Sequence, residues 1–306
     1  MIIRLTLALL FAIPAAMAYP WQSTSDRWVL GVAVAVVVVV FAWWRGLFVT
    51  TMVARRIAML RRRNHVGGSH QSSEFATAVL RVEPRDQTDL PLGVIAGYVD
   101  RYGIHFDKVR VTSRDVGGTR TTWVGLTLGA ADNLAALAAR STRMPLQDTV
   151  EVAARRLADH LRETGWEVST DDAAATPVPE QGRETWRGIR DGRGYLAAYR
   201  IRTDERLADT LAALSASDQG ETWTALEFTG SRAHPEIAAA CAIRTAERPG
   251  SRAPLAGLTP ERGEHRPALA ALATDSDRRL SAAPTPAPAD LLSHLRWPTG
   301  TALSRT

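Results

Sequence analysis

The sequence holds one cysteine in 306 residues, Cys241. A single cysteine excludes an internal disulfide framework and agrees with a main domain in a reducing compartment. Its neighbours are Ala238 to Ala240, Ala242 and Ile243, so it reads as a buried thiol rather than a nucleophile. Other absences narrow the chemistry further. There is no Gly-Lys-Ser/Thr, and Gly192-Arg193-Gly194 falls in an expected hairpin rather than before a helix, which argues against the usual phosphate-cradling loops. Histidines at 65, 70, 105, 160, 234, 265 and 294 lack paired metal-ligand spacing. No Gly-x-Ser-x-Gly elbow is present. Asp275-Ser276-Asp277 has the Asp-x-Asp form with which sugar-nucleotide transferases hold a divalent cation. It lies at an expected helix end beside Arg278-Arg279, with no apolar strand to aim it, so a solvated cap is the better reading. No catalytic residue, cofactor, cofactor-binding residue or metal ligand is assigned, and nothing in the pattern argues for an enzyme.

Acidic residues are nearly missing from the first 64 positions, where Asp26 stands alone against eight arginines. The rest of the chain carries 29 basic and 31 acidic side chains, so the overall balance of +5 belongs to the N-terminal segment. A near-neutral main domain gives no nucleic-acid case.

What that segment does have is Trp28 to Trp44, seventeen residues without a charge. A helix over 28–48 would reach roughly 30 Å, the hydrocarbon thickness of a bilayer. Val36 to Val40 would suit a strand, but the run is far too long for one without a turn signal. Trp28 at one end and Trp43 with Trp44 at the other mark the headgroup boundaries, where Arg45 can extend toward water. Arg45, Arg55, Arg56, Arg61, Arg62 and Arg63 follow, and the positive-inside rule then places everything after Trp44 in the cytoplasm. These arginines read as retention charge near anionic lipid. An earlier apolar run, Leu5 to Tyr19, has two readings. It is either a signal peptide cleaved after Ala16-Met17-Ala18 or a first transmembrane helix that tolerates Pro14. Both leave the later helix exiting into the cytoplasm.

The expected organisation is a transmembrane hairpin over 1–48, a basic juxtamembrane segment and linker over 49–73, and an α/β or α+β domain of mixed sheet over 74–280. Within that domain a polar break at 171–181 marks a sub-block boundary, and a Pro/Ala-rich tail with a short terminal segment occupies 281–306. Strands are expected at 75–82, 104–113, 121–128, 166–169, 184–189, 195–202, 223–228 and 237–245. Helices are expected at 90–102, 130–139, 148–164, 207–216 and 265–274. The helix at 148–164 carries the capping-box spacing of Asp148 and Glu151 and ends at Gly165.

Several blocks resemble a known family. Pro20-Trp-Gln-Ser-Thr24, Arg27-Trp-Val-Leu-Gly31 and Trp43-Trp-Arg-Gly46 are similar to the N-terminus of EccE, a membrane component of actinobacterial type VII (ESX) secretion systems. The likeness continues through Leu90 to Gly103, Lys108 to Asp115, Thr122 to Leu128, Ala131 to Leu137 and Pro145 to Arg162. Within that family the chain most resembles the branch tied to iron and zinc acquisition. The resemblance implies two N-terminal membrane helices, which favours the hairpin over the signal peptide. It also implies an inner-membrane, multi-pass location, partners EccB, EccC (the ATPase) and EccD, and a role in export of small helical proteins. A glycosyltransferase-like α/β fold without catalytic residues is implied as well.

Overall fold

The computed structural model describes residues 43, 44 and 47–62, then 74–84, 89–141, 145–171, 173–217, 220–287, 292 and 295–297, with isolated positions among the first 34. The chain divides into two compact units, residues 1–66 and 67–306.

In the first unit, β1 (Trp43–Trp44) pairs antiparallel with β2 (Leu47–Phe48), Trp43 opposite Phe48 and Trp44 opposite Leu47. The helix α1 (Val49–Arg62) follows directly. This corrects the expected helix through residue 48, because a chain that doubles back between Trp44 and Leu47 cannot continue an i to i−4 ladder. No helix among the described residues is long and apolar enough to cross a membrane. The expected spans at 5–19 and 28–48 lie mostly outside those residues. At the described positions Leu10, Ile13, Trp28, Val32 and Val34 the backbone is helical, and their side chains are exposed.

The second unit begins with β3 (Phe75–Pro84), followed by α2 (Leu92–Ala96), one 3-10 turn (Gly97–Val99), β4 (Asp100–Arg101), β5 (Ile104–Val116) and β6 (Thr119–Gly129). A second 3-10 turn leads into α3 (Leu134–Arg140), α4 (Leu146–Glu163) and β7 (Trp166–Thr170). Then come β8 (Arg183–Thr185), β9 (Gly188–Asp191), β10 (Gly194–Ile201), α5 (Leu207–Ala216), β11 (Glu221–Gly230) and β12 (Pro235–Thr245). The last elements are β13 (Leu258–Pro260), α6 (His265–Ala271) and β14 (Thr285–Pro286).

One sheet runs in the order β7-β3-β6-β5-β11-β12-β10-β9-β8, with β13 and β14 added beside β10 and β12. Every pairing among the described residues is antiparallel. The combination of α and β elements is as expected, in its α+β form, but the sheet expected to be mixed is antiparallel, because hairpins and β-α-β-β returns join its strands without a parallel crossover pair among the described residues. A doubly wound nucleotide fold binds its ligand at the carboxyl ends of parallel strands where their order reverses. The antiparallel pairings here build no such crevice.

The order is mirrored about the β5–β11 seam. The unit β3-α2-β5-β6 has the pairings β3–β6 and β6–β5, and β10-α5-β11-β12 has β10–β12 and β12–β11. A β-α-β-β motif therefore occurs twice, without a repeat of residues. Each motif closes with a hairpin, the first through Gly117 and Gly118 at φ 56° and 79°, left-handed angles that glycine adopts without a Cβ clash.

Alternation along the strands sends two sets of side chains to opposite faces. On one face Leu80, Val109, Val111, Val124, Leu126, Leu226 and Phe228 pack with α2, α4 and α5. The apolar stripe of α4 (Val150, Ala154, Leu157, Leu161) lies in this core, as the 3.6-residue period requires. On the other face Trp123, Trp223, Ala225 and Ala238, Ala240 and Ala242 of β12 pack beneath α6 and residues Leu272, Leu280 and Ala282.

Four local expectations change. The helix expected at 90–102 stops at Ala96, with Pro91 at its N-cap in place of Asp89. Asp148 and Glu151 form no capping box; Pro145 precedes α4, and no side-chain cap bond is made. The strand expected at 184–189 is two strands, β8 and β9, paired to each other across Trp186 and Arg187. Trp297, read as tail, is fully buried in the helical-face core and donates from Nε1 to Ser113 Oγ at 2.8 Å.

Candidate functional site: a buried clamp and an arginine-flanked cleft

The expected boundary residues fall in the first unit. Trp28 is helical and exposed, Trp43 and Trp44 form β1, and Arg55, Arg56, Arg61 and Arg62 lie on α1. Arg45 and Arg63 are outside the described residues. The helix α1 has no acidic residue in its first turn, and its arginines interleave with Met52, Ile57 and Met59. Ile57 is exposed. A basic amphipathic helix of this kind is suited to lying in a lipid interface.

In the second unit the sheet face beneath α6 carries charge where alternation alone would point to solvent. Lys108 and Arg110 on β5 and Glu227 on β11 are at most 3% exposed. Arg110 donates from Nε and Nη2 to Glu227 Oε2 at 3.0 and 2.5 Å, and its Nη groups also donate to the carbonyls of Ala271 and Arg278. Lys108 Nζ donates to Arg278 O at 2.6 Å. The Leu280 N–H closes the set on Glu227 Oε1 at 3.2 Å. Residues 271–280 thus form a strap fastened to the sheet by two buried cations. Gly125 admits it, since a Cβ there would stand 3.1 Å from Thr274 O. Burial, then the neighbouring Arg110, bring Lys108 down to about 7, against the opposing pull of Glu227, Asp107 and Asp277. Lys108 is the only lysine in the chain.

The Asp-x-Asp pair lies within this strap. Asp277 shares its surroundings with the Lys108 ammonium, and Asp275 and Asp277 both have partners. Among the described residues no cluster of His, Cys, Asp and Glu could hold a metal ion. Asp277 lies within electrostatic reach of a basic group rather than in a ring of carboxylates.

A second charged group closes the far end of the seam. Glu221 accepts from Trp223 Nε1 at 3.0 Å, Arg114 Nε at 3.0 Å and Arg244 Nε at 2.8 Å. Arg244 reaches on to Asp191, with Nη1 to Oδ2 at 2.8 Å. Burial alone would raise the Glu221 carboxyl, but these donors and positive charges outweigh it and hold it below its usual value. Cys241 is fully buried at the centre of β12, and burial raises its thiol far above the usual range, so it is inert, as its neighbours suggested.

The surface offers one unusual place. Among the described residues of this unit, the exposed large hydrophobic side chains are Tyr102, Leu134 and Val152. Tyr102 and Val152 face a single cleft of about 370 Å³ between the β4–β5 turn and α4. Tyr102 has φ 60°, the one non-glycine residue among those described with a left-handed backbone, which is costly for a bulky side chain. Arg156 lies over its ring at 4.5 Å from the centroid and Arg101 at 5.3 Å. Tyr98 packs edge-on against Tyr102, with centroids 6.1 Å apart, and its hydroxyl bonds His160 Nδ1 at 2.7 Å. The aromatic is thus held in place from below and flanked by guanidinium groups.

A family model described as "Putative type VII ESX secretion system translocon, EccE" matches residues 116–201. The chain is 54% identical over 286 residues to the ESX-3 secretion system protein EccE3 of Mycolicibacterium smegmatis, covering 94% of this chain and 92% of that protein. It is 52% identical over 307 residues to EccE3 of Mycobacterium tuberculosis strain H37Rv, covering 98% and 92%. The chain belongs to the EccE family.

The ESX-3 relatives agree with the metal-acquisition branch that the sequence resembles. Within this EccE chain the matched segment runs from the end of β5 to β10, so it contains α3 and α4 and with them Arg140, Val152 and Arg156 of the cleft. Sequence reading missed the cleft because it placed Tyr102 at the end of a long helix. The available signal was Tyr102-Gly103 itself, an aromatic followed by a turn residue. Lys108 and Arg110 were missed because strand alternation predicts an exposed face, and only the distant strap covers them.

Proposed function

We propose that this chain is a non-enzymatic structural subunit of an inner-membrane type VII (ESX) secretion complex that exports small helical proteins, in the iron and zinc acquisition branch. The observation that carries it is the 52–54% identity to EccE3 proteins over nearly the whole chain. Two N-terminal membrane helices ahead of the β1–β2 turn, a basic juxtamembrane segment over 49–73 and a cytoplasmic domain from 74 onward complete the reading, with Trp28, Trp43 and Trp44 at the membrane boundaries. The arginine content of α1 supports this orientation, since positive charge is retained on the cytoplasmic side. EccB, EccC and EccD are the proposed partners, EccC supplying ATP hydrolysis. Extraction of native membranes in mild detergent and purification through this subunit should recover all three. Recovery of this chain alone overturns the assignment.

A further inference from the structure

We propose that the cleft between Tyr102 and α4 docks an acidic segment of a partner protein, seating an apolar side chain against Val152 and carboxylates against the flanking arginines. The proposal rests on the reading of this chain as a subunit of a larger assembly, and adds which face meets a partner and the chemistry of what it meets.

Charge complementarity selects the occupant. Arg140 and Arg156 line the cleft, and Arg101 stands over the Tyr102 ring. Among the described residues none of the three has a carboxylate within ion-pair distance. Some exposed arginines elsewhere in the unit find one, as Arg155 with Glu151, Arg162 with Asp159 and Arg279 with Asp107, and others, such as Arg206 and Arg252, do not, so it is the gathering of arginines at one apolar hollow that sets the cleft apart. Asp148 is the one acid lining the cleft. Two cations lining the hollow and a third beyond the Tyr102 ring, with one acid in the lining to balance them, leave an attractive field for a negatively charged segment.

The floor supplies the second half of the recognition. Ile104, Pro145, Val152 and Ala153 give an apolar surface, and the volume of about 370 Å³ lies in the range that takes a few side chains. Val152 is 44% exposed and Tyr102 41%. Helix α4 buries its other apolar positions on the sheet, so Val152 breaks the polar side of an otherwise regular amphipathic helix. An aromatic beside arginines is the composition enriched at interface hot spots, and a ring already fixed by its neighbours loses little entropy on binding. The left-handed backbone of Tyr102 holds the ring at the mouth, a strain spent on presentation rather than packing.

The test places photoreactive benzoylphenylalanine at position 152 of the full chain in native membranes. Irradiation should give one protein adduct, and mass spectrometry of the joined peptide should show a partner segment rich in Asp and Glu. Arg156→Glu should cut the yield on the order of tenfold, while Arg156→Lys retains most of it. Arg155→Glu, one residue away and off the cleft, should leave it unchanged. An adduct with lipid, with a second copy of this chain or with a non-acidic segment overturns the proposal, as does no adduct or a yield indifferent to Arg156→Glu. Unaltered melting of each variant shows that the fold is intact. Co-purification from the same membranes separates the two readings: recovery of the complex without the adduct removes the cleft alone. Recovery of the chain alone removes the subunit reading, and the acidity and charge sensitivity of the adduct still decide the cleft.

Discussion

Trp123 and Trp223 lie face to face, ring centroids 6.0 Å apart and 8° from parallel. One ring comes from β6 of the first β-α-β-β motif and the other from β11 of the second, so the stack spans β5 at the seam. Each indole also ends on a carboxylate, Trp123 Nε1 on Asp171 at 2.8 Å and Trp223 Nε1 on Glu221 at 3.0 Å. The pair ties the two halves together and anchors the segment that leaves β7. Trp223→Ala should therefore cost about 3–5 kcal/mol, the range for a large buried aromatic. Trp223→Phe should cost less, since it keeps much of the area and removes one of several donors to Glu221. Denaturant unfolding followed by circular dichroism measures both, and a loss under about 1 kcal/mol for the alanine variant would show that the seam does not depend on this stack.

Arg110 and Glu227 make the opposite kind of seam contact, a buried ion pair whose removal depends on how it is done. Arg110→Met alone leaves Glu227 in the interior with the Leu280 amide as its hydrogen-bond donor, and should cost about 3–5 kcal/mol. Arg110→Met with Glu227→Met removes both charges and should cost less than the single change, although the carbonyls of Ala271 and Arg278 then lose a donor. A double-mutant cycle on unfolding midpoints gives the coupling, and additive losses would show that the two charges act independently.

Much of the fold was legible in local pattern. Helix α5 and strands β5, β6, β10, β11 and β12 fall where periodicity and turn glycines put them, because each has a clear two- or 3.6-residue repeat bounded by a breaker. What failed needed information from far along the chain. Lys108 and Arg110 alternate as solvent-facing residues should, yet a strap more than 160 residues later covers them. Trp297 sits in a Pro/Ala-rich stretch that reads as tail, yet its ring fills a hole beside Ser113. The cleft was lost for a local reason: the apolar run Leu92 to Tyr98 continues the helical pattern past Ala96, where Gly97 and the left-handed Tyr102 let the chain turn away.

Lys108 gives stability a pH dependence with a definite sign. Unfolded, its ammonium returns to its usual value of 10.5, and in the fold it stands at about 7. Between those values the unfolded chain holds a proton that the folded chain has released, so stability rises with pH from about 7, at no more than about 1.4 kcal/mol per pH unit. Cys241 works in the other direction. Burial lifts its thiol above the usual 9.0, so above that pH the unfolded chain sheds a proton the folded chain keeps. The two slopes cancel above pH 9, so stability should level off there, and Lys108→Met should flatten the rise from pH 7 to 9. An amine-directed ester should leave Lys108 unmodified in the folded chain and label it after denaturation. Mass spectrometry reads the difference, and rapid labelling of the folded chain would show the strap open.

The arginines of α1, with Arg63 next in sequence, should set orientation. Replacing Arg55, Arg56, Arg61, Arg62 and Arg63 with Gln should weaken the topology bias, since the preceding side offers only Arg27 near Asp26. The chain suits cysteine-accessibility labelling, because its one native thiol is buried and a cysteine introduced between α1 and β3 reports alone. Labelling that stays wholly on the cytoplasmic side in the neutralised variant would contradict the charge argument.

Tyr102 sets stability and binding against each other. Its φ of 60° is a conformation that asparagine adopts several-fold more readily than a bulky aromatic. Tyr102→Asn should relieve that strain while giving up the edge contact with Tyr98 and the stacking of Arg101 and Arg156. Those exposed contacts are worth about 0.5–1 kcal/mol each, comparable with the strain of about 1–3 kcal/mol. The unfolding midpoint should accordingly move little. Photo-crosslinking from position 152 should nonetheless fall, because the ring that meets the partner is gone. A residue selected for packing would behave the other way, with the midpoint dropping sharply and the crosslink lost only in proportion to folded protein. Measuring both on the same preparation decides whether the strained turn serves the fold or the surface it presents.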